Sequence, residues 1–256
     1  MRNPEKSTFD EWYAEQLGPR WSYIREALIR EQHYYELADR LLKPYYLDEA
    51  SYRAAKALGA EPGETVLDLC AAPGGKTLVV AIDLDGAGRL VANDRSSARR
   101  LRLRRVLEEH LPTSLRSVIE IAGHDAKKWG VYEPNVYDRV LLDAPCSSER
   151  HVLASPKHLS QWSPARTKHL AVQAHSMLAG AYDAAKPGGT VAYVTCALSP
   201  LENEGVIEKL KRKRPVSLDR VEMPFGEATA HGWQIWPDTA GGRGPMYISR
   251  IIKPPP

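Results

Sequence analysis

No stretch of the chain approaches the ~18 consecutive apolar residues that a membrane-spanning helix needs, so no transmembrane segment is expected. The N-terminal MRNPEKSTFDEWYAEQ has no apolar run and mixes acids with bases, which excludes a secretory signal and is unlike an Arg-rich, acid-poor presequence. The expected location is cytoplasmic, with the mitochondrial matrix as the alternative if a presequence has been removed. Cysteine is scarce. Cys70, Cys146 and Cys196 are odd in number, widely spaced and form no CxxC pair, which argues against a disulfide framework or a metal site and for reduced thiols. There is no internal repeat, no Walker A loop and no GxGxxG.

Charge of one sign is also nearly absent as a net quantity, at +3. Its distribution is more informative. Arg95, Arg99, Arg100, Arg102, Arg104 and Arg105 crowd together, and KLKRKR follows at residues 209–214. Such runs are either phosphate contacts or solvated helix faces.

An intermittent apolar stripe, Trp12, Trp21, Ile24, Leu28, Leu37 and Leu41, predicts helix over residues 7 to about 43. This gives an N-terminal helical extension, 1–43, ahead of a catalytic domain, 44–256. A helix over residues 49–58 is closed by Gly59 and the Pro62-Gly63 turn. Strand and helix signals then alternate. Strands are predicted at residues 65–70, 89–93, 117–121, 137–142 and 190–195, with helices at 97–110, 163–186 and 201–213, and a hairpin at 232–236 and 246–252. That order implies an α/β fold with right-handed crossovers and a largely parallel sheet covered on both faces. Ligands of such sheets sit beyond the carboxyl ends of the strands. Gly74, Asp94, Asp125, Asp143, Cys146 and Cys196 each fall just after a predicted strand, so one edge of the sheet collects them.

The loop DLCAAPGGKT (68–77) lets backbone amides approach a ligand and opens a helix N-terminus toward a carboxylate or phosphate. Asp94, twenty residues after Gly74, stands where an acid commonly accepts bonds from ribose hydroxyls. Asp125 stands where an acid can meet an exocyclic adenine amine. The competing reading is that loop acids cap helices. Cys146 and Cys196 end neighbouring strand signals outside metal or disulfide spacing, which points to paired roles in covalent chemistry. Cys70 fits the reading of an inert buried thiol.

DLCAAPGGKT, DAPCS (143–147) and TCALSPLENE (195–204), in that order, resemble the signature blocks of the Sun-domain (RsmB/RsmF-like) RNA 5-methylcytosine methyltransferases. The resemblance spans roughly residues 40–253. Residues 9–28 and Gly244-Pro245-Met246-Tyr247 are similar to the short mitochondrial-type ribosomal RNA members. It implies a Rossmann-like class I S-adenosylmethionine-dependent methyltransferase with a mostly parallel seven-stranded sheet, a C-terminal antiparallel hairpin and the N-terminal helical extension. It implies S-adenosyl-L-methionine as cofactor, held by Cys70, Ala71, Ala72, Pro73, Gly74, Gly75, Lys76, Asp94, Arg99, Asp125 and Asp143. Cys196 would attack carbon-6 of a cytosine, Cys146 would assist release, and Asp143 would bond the cytosine amino edge. The implied partner is RNA, ribosomal or transfer, with an accessory protein that presents it as a further candidate, and with neither metal nor membrane.

One departure stands out. Many members continue the DAPC block with Ser-Gly-x-Gly, whereas here Ser147-Ser148-Glu149-Arg150-His151 follows. Ala197 also occupies a place where serine is common. A target cytosine must be unpaired or extruded, and Arg150, Trp162, Trp12, Trp21, Tyr34 and Tyr35 are candidates to stack on RNA, with helix packing as the alternative for the N-terminal aromatics. His151 is read as a phosphate or proton-transfer contact, or a plain loop histidine. Three rival functions remain at this point: the same chemistry on transfer RNA, a DNA cytosine methyltransferase, and a non-catalytic RNA-binding assembly factor.

Overall fold

A computed structural model describes residues 8–30 and 32–255. Residues 1–7 and Glu31 of the expected extension, and Pro256, lie outside the described residues. The extension begins with helix Phe9–Leu17, started by a capping box. Thr8 Oγ1 accepts from the Glu11 amide at 3.2 Å and the Glu11 carboxylate accepts from the Thr8 amide at 3.0 Å. Helix Arg20–Ile29 follows. Phe9, Trp12, Tyr13, Trp21, Ile24 and Leu28 bury their side chains together with Val152 and Leu198. The extension is therefore clamped onto the two loops that carry Cys146 and Cys196.

Helix does not continue to residue 43 as the apolar stripe predicted. It ends at Ile29, and strand β1 (Tyr34–Leu37) pairs antiparallel with β2 (Tyr45–Asp48). Leu37 and Leu47 are the buried members of this hairpin. Adjacent tyrosines suit a pleated strand better than a helix, and Pro44 disfavours helix in the residue before it.

The main sheet contains β3 (Thr65–Asp68), β4 (Arg89–Asn93), β5 (Ile119–Ala122), β6 (Tyr137–Asp143), β7 (Ala185–Thr195), β8 (Ser217–Asp219), β9 (Glu227–Ala228), β10 (Trp233–Ile235) and β11 (Met246–Ile252). Its order is β5-β4-β3-β6-β7-β11-β10-β9, with β8 also on β11. β3 to β7 are mutually parallel, and β11 and β10 form the antiparallel hairpin. The expected seven strands are all present, and the short β8 and β9 raise the count to nine. Alternation along β6 splits the core between the sheet's two faces. Val140 and Leu142 pack with Leu178 and Ala181 of helix Pro164–Ala184, and Leu141 packs with Leu78 and Leu103 on the other side. The order reverses at β3, which has β4 on one side and β6 on the other, so a crevice opens beyond their carboxyl ends. Among the described residues no helix is long and apolar enough to cross a membrane.

Candidate active site

Asp68 ends β3, and the chain then turns through residues 69–74 into helix Gly75–Asp83. Gly74 has φ +124°, and a Cβ there would lie 3.0 Å from Val106 Cγ1. A Cβ on Gly75 would lie 3.0 Å from Tyr45 Cε1. Both glycines are thus required by close packing behind the loop. Asp68 is 1% exposed. Thr77 Oγ1 donates to its Oδ2 at 2.8 Å, while Oδ1 is buried without a hydrogen-bond partner among the described residues. Burial pushes its carboxyl up to about 7, against the Thr77 bond and with help from the Asp143 charge. A cavity of about 120 Å³ opens here, walled by Tyr45, Ser51, Asp68, Ala72, Lys76 and Asp143. The unpartnered acceptor fits a cationic donor such as the α-ammonium of an amino acid.

A second cavity, of about 240 Å³, shares Cys70 with the first and continues past Asn93, Asp94, Arg99 and Asp125. Asp94 Oδ1 accepts from the Ser96 amide at 2.9 Å. Its Oδ2 lies 3.3 Å from Arg99 Nε and accepts no hydrogen bond. Arg99 also donates to the Ala72 carbonyl, tying the glycine loop to the end of β4. Asp125 accepts from the Lys127 amide at 3.1 Å and caps a short 3-10 turn, so the capping alternative describes its bonds while it still lines the cavity. Asn93, absent from the sequence-based candidates, fixes three loops: it donates to Leu69 O at 2.9 Å and accepts from the His124 amide at 2.8 Å. A lone asparagine at a strand end reads only as a turn former. Burial raises the Cys70 thiol far above the ordinary cysteine range, which leaves it protonated and unreactive.

β6 and β7 are adjacent and parallel, with Asp143 in register with Val194, so the loops after them meet. Cys146 Sγ and Cys196 Sγ lie 3.1 Å apart, and the Cys196 amide donates to Cys146 Sγ at 3.2 Å. The bond from Cys146 holds the Cys196 thiol below its ordinary range, against burial and with help from the Ser148 hydroxyl. Cys146 is pushed up by the same bond and by burial. The pair is asymmetric, with the Cys196 thiol shifted down and the Cys146 thiol shifted up. Lys76 Nζ donates to Asp143 Oδ2 at 2.8 Å and to Ser51 Oγ at 3.4 Å. Burial pulls this amine down, but the Asp143 charge outweighs it and the net shift is upward.

Ser148 stands where the resembled family places glycine, and its φ of +53° and ψ of 62° are left-handed. A side chain there costs about 1–2 kcal/mol. Two buried acids support the loops on either side. Glu149 accepts from Tyr13 Oη at 2.5 Å and from the Leu198 amide at 3.1 Å. Glu202 accepts from the Ser147 amide at 2.8 Å and meets its hydroxyl at 2.5 Å. Burial raises Glu149 to about 7, and burial together with the Glu149 charge raises Glu202 to about 8. Asn203 adds bonds to Ala197 O at 2.9 Å and Thr195 Oγ1 at 2.6 Å. These supports escape sequence reasoning because each links distant segments.

Cys196 opens into a cavity of about 340 Å³ with Gln32, Asp48, Ser51, His151, Gly244 and Met246 in its wall. Ser51 is common to this cavity and the one beside Asp68. The three cavities thus run in sequence from Asp94 to Cys196.

Most of the proposed stacking residues are used elsewhere. Arg150 donates to Leu28 O at 2.9 Å, Gly242 O at 2.7 Å and Gly244 O at 2.9 Å. Trp12, Trp21 and Trp162 pack in the N-terminal cluster, and Tyr35 stacks on Tyr52 at 4.2 Å. Tyr34 remains 62% exposed. The His151 ring lies 4.5 Å from that of His158. The residue 209–214 run ends at Arg214, which pairs with Asp183 beside the start of β7. That is the opposite end of the strand from Cys196, on the order of 30 Å away.

The fold is that of the class I S-adenosyl-L-methionine-dependent methyltransferases, and the linked cavities lie beyond the carboxyl ends of its parallel strands. The chain belongs to the 16S rRNA methyltransferase RsmB/F family, whose model matches residues 55–252. It is 42% identical over 234 residues to the 5-cytosine rRNA methyltransferase NSUN4 of Xenopus tropicalis, covering 83% of this chain and 57% of the relative. It is 37% identical over 227 residues to the mitochondrial tRNA (cytosine(34)-C(5))-methyltransferase of Danio rerio, covering 83% and 61%. The chain therefore spans about three fifths of the length of these curated relatives. Among solved structures it resembles a methyltransferase homolog protein from Pyrococcus horikoshii, with TM-score 0.76, 22% identity and coverage of 94% and 93%.

Proposed function

We propose that this chain methylates carbon-5 of a specific cytosine in RNA, with ribosomal RNA as the substrate class, through a covalent adduct on Cys196. The observation that carries the reading is the cysteine pair, 3.1 Å apart, at the mouth of a cavity that shares Ser51 with the cofactor cavity. When bound, the cofactor supplies an electrophilic methyl group. Cys196 Sγ attacks carbon-6, and the displaced π electrons make carbon-5 nucleophilic. Asp143, oriented by Lys76, accepts from the cytosine amino group and so positions the base over Cys196. After methyl transfer solvent water takes the carbon-5 proton, the freed pair re-forms the carbon-5–carbon-6 double bond, the carbon-6–sulfur bond breaks, and Cys196 departs as a thiolate while Cys146 assists. Bonds from Cys146 and Ser148 favour that thiolate at both ends of the cycle. The second cysteine, Cys196 after β7, also counts against a DNA-type enzyme, in which the cysteine of the Pro-Cys block attacks.

Transfer RNA is the second substrate class, supported by the 37% identity to the Danio rerio transfer RNA enzyme. The same relative's name favours the mitochondrial alternative for location.

The test is adduct trapping. Cys146→Ala, mixed with total RNA and S-adenosylmethionine, gives a slowly resolving RNA–protein band on a denaturing gel, and adding Cys196→Ala removes it. Sequencing the trapped RNA identifies its class. Active wild-type protein with no band from Cys146→Ala overturns the cysteine assignment. Wild type that binds the cofactor yet methylates no RNA revives the assembly factor.

A further inference from the structure

Cys146 and Cys196 open to different sides. Cys196 lies in the wall of the cavity described above, whereas Cys146 faces a separate cleft of about 170 Å³. The two share Ser148 and His151, so a single nucleotide can straddle the cysteine pair. We propose that the Cys146-side cleft holds a backbone phosphodiester of the RNA, adjacent to the cytosine taken by Cys196. This inference rests on the RNA methyltransferase reading and adds where the strand lies.

The chemistry of the wall favours an anion. Beyond the shared residues it is formed by His158, Gln161, Trp162 and Arg166. Arg166 makes no ion pair or side-chain hydrogen bond among the described residues, and its guanidinium suits a phosphate. Trp162 Nε1 and His158 Nδ1 are buried without hydrogen-bond partners, and buried polar groups normally have one. Arg166 lies in the first turn of the 21-residue helix Pro164–Ala184, whose N-terminus adds positive potential. From Arg150 to Tyr182 the sequence contains no Asp or Glu. The nearest acids, Glu149 and Glu202, are buried and bonded to Tyr13, Leu198 and Ser147, not turned on the cleft. The basic run at residues 209–214 does not compete for this role, since its Arg214 pairs with Asp183 at the far end of β7.

The test measures binding of a short oligocytidylate by the full chain across a salt series, for wild type, Arg166→Gln and His158→Gln. Cofactor binding by each variant reports that the fold is intact. Loss of one phosphate contact on a single strand lowers the slope of log K against log salt by about 0.7, and Arg166→Gln should show that drop with cofactor affinity unchanged. An uncharged methylphosphonate beside the target cytidine should reproduce the drop in wild type and add nothing in Arg166→Gln. Should Arg166→Gln misfold, weaker oligonucleotide binding by cofactor-competent His158→Gln is the supporting result. Equal slopes for wild type and Arg166→Gln overturn the phosphate cleft while leaving the methyltransferase reading intact. Inorganic phosphate bound by wild type but not by Arg166→Gln, with identical salt slopes on RNA, also overturns it and assigns the cleft to a free anion. Wild type that methylates no RNA, together with Cys146→Ala that traps no RNA, defeats the underlying reading instead.

Discussion

The two ends of the linked cavities handle acidic side chains in opposite ways. At the cofactor end, Asp94 sits against Arg99 and Asp143 against Lys76, so two of its acids are paired with cations. Asp68 is the exception there: it keeps an unpartnered oxygen, and burial raises its carboxyl to about 7. At the cysteine end, Glu149 and Glu202 have no cationic partner among the described residues. They are buried, carry their protons up to about 7 and about 8, and act as neutral hydrogen-bonding struts. The difference follows from task. A cationic cofactor is held by charge, whereas a thiolate beside two ionised carboxylates would be repelled.

That contrast is breakable. The largest expected effect is on pH dependence. Glu149 and Glu202 have carboxyls raised above their ordinary 4.5, so the folded state binds more protons than the unfolded chain. Their stabilisation is fully present below about 4.5 and is lost as pH rises through about 7 and about 8. Urea unfolding should show roughly 4 kcal/mol less stability at about pH 8 than at about pH 6 from this pair, with Asp68 adding to the same loss, and a Glu149→Gln, Glu202→Gln double variant with an unchanged pH slope would refute the neutral-strut description. Next is Glu202→Ala, which strands the Ser147 amide and hydroxyl and should cost about 2 kcal/mol. Glu202→Gln, which mimics the protonated acid, should remain within about 1 kcal/mol of wild type and reduce the pH slope. The smallest is Asp94→Asn. Unfolding stability should be unchanged, but S-adenosylmethionine measured by calorimetry should bind roughly tenfold more weakly. If amide substitution were equally harmless at both ends, the distinction would fail.

Much of the cofactor end was legible because its signals are local. A strand ending in Asp68, two glycines and a helix start lie within ten residues, and Asp94 and Asp143 each follow an apolar run. Cys146 and Cys196 were legible for the same reason, as strand-end thiols. The supporting groups were not. Tyr13 and Glu149 are 136 positions apart, and Ser147 and Glu202 are 55 apart, so no periodicity marks them. The β1–β2 hairpin was misread because Leu37 and Leu41 extend a helical stripe by chance, while the burial of Leu37 and Leu47 follows a period of two. Arg150 was read as a candidate to stack on RNA because nothing in its neighbourhood announces the backbone carbonyls of two remote segments that it bonds.

The clamp of the N-terminal helices onto the cysteine loops has a consequence for biosynthesis. Tyr13 is among the first described residues made, whereas β11, which flanks β7 and carries Met246 into the Cys196 cavity, is among the last. A nascent chain completes the edge of β7 only after this final strand has inserted antiparallel beside it, although β3 and β4 can already pair. A chain cut short before β11 therefore lacks both the strand that covers the edge of β7 and the Met246 wall of the Cys196 cavity.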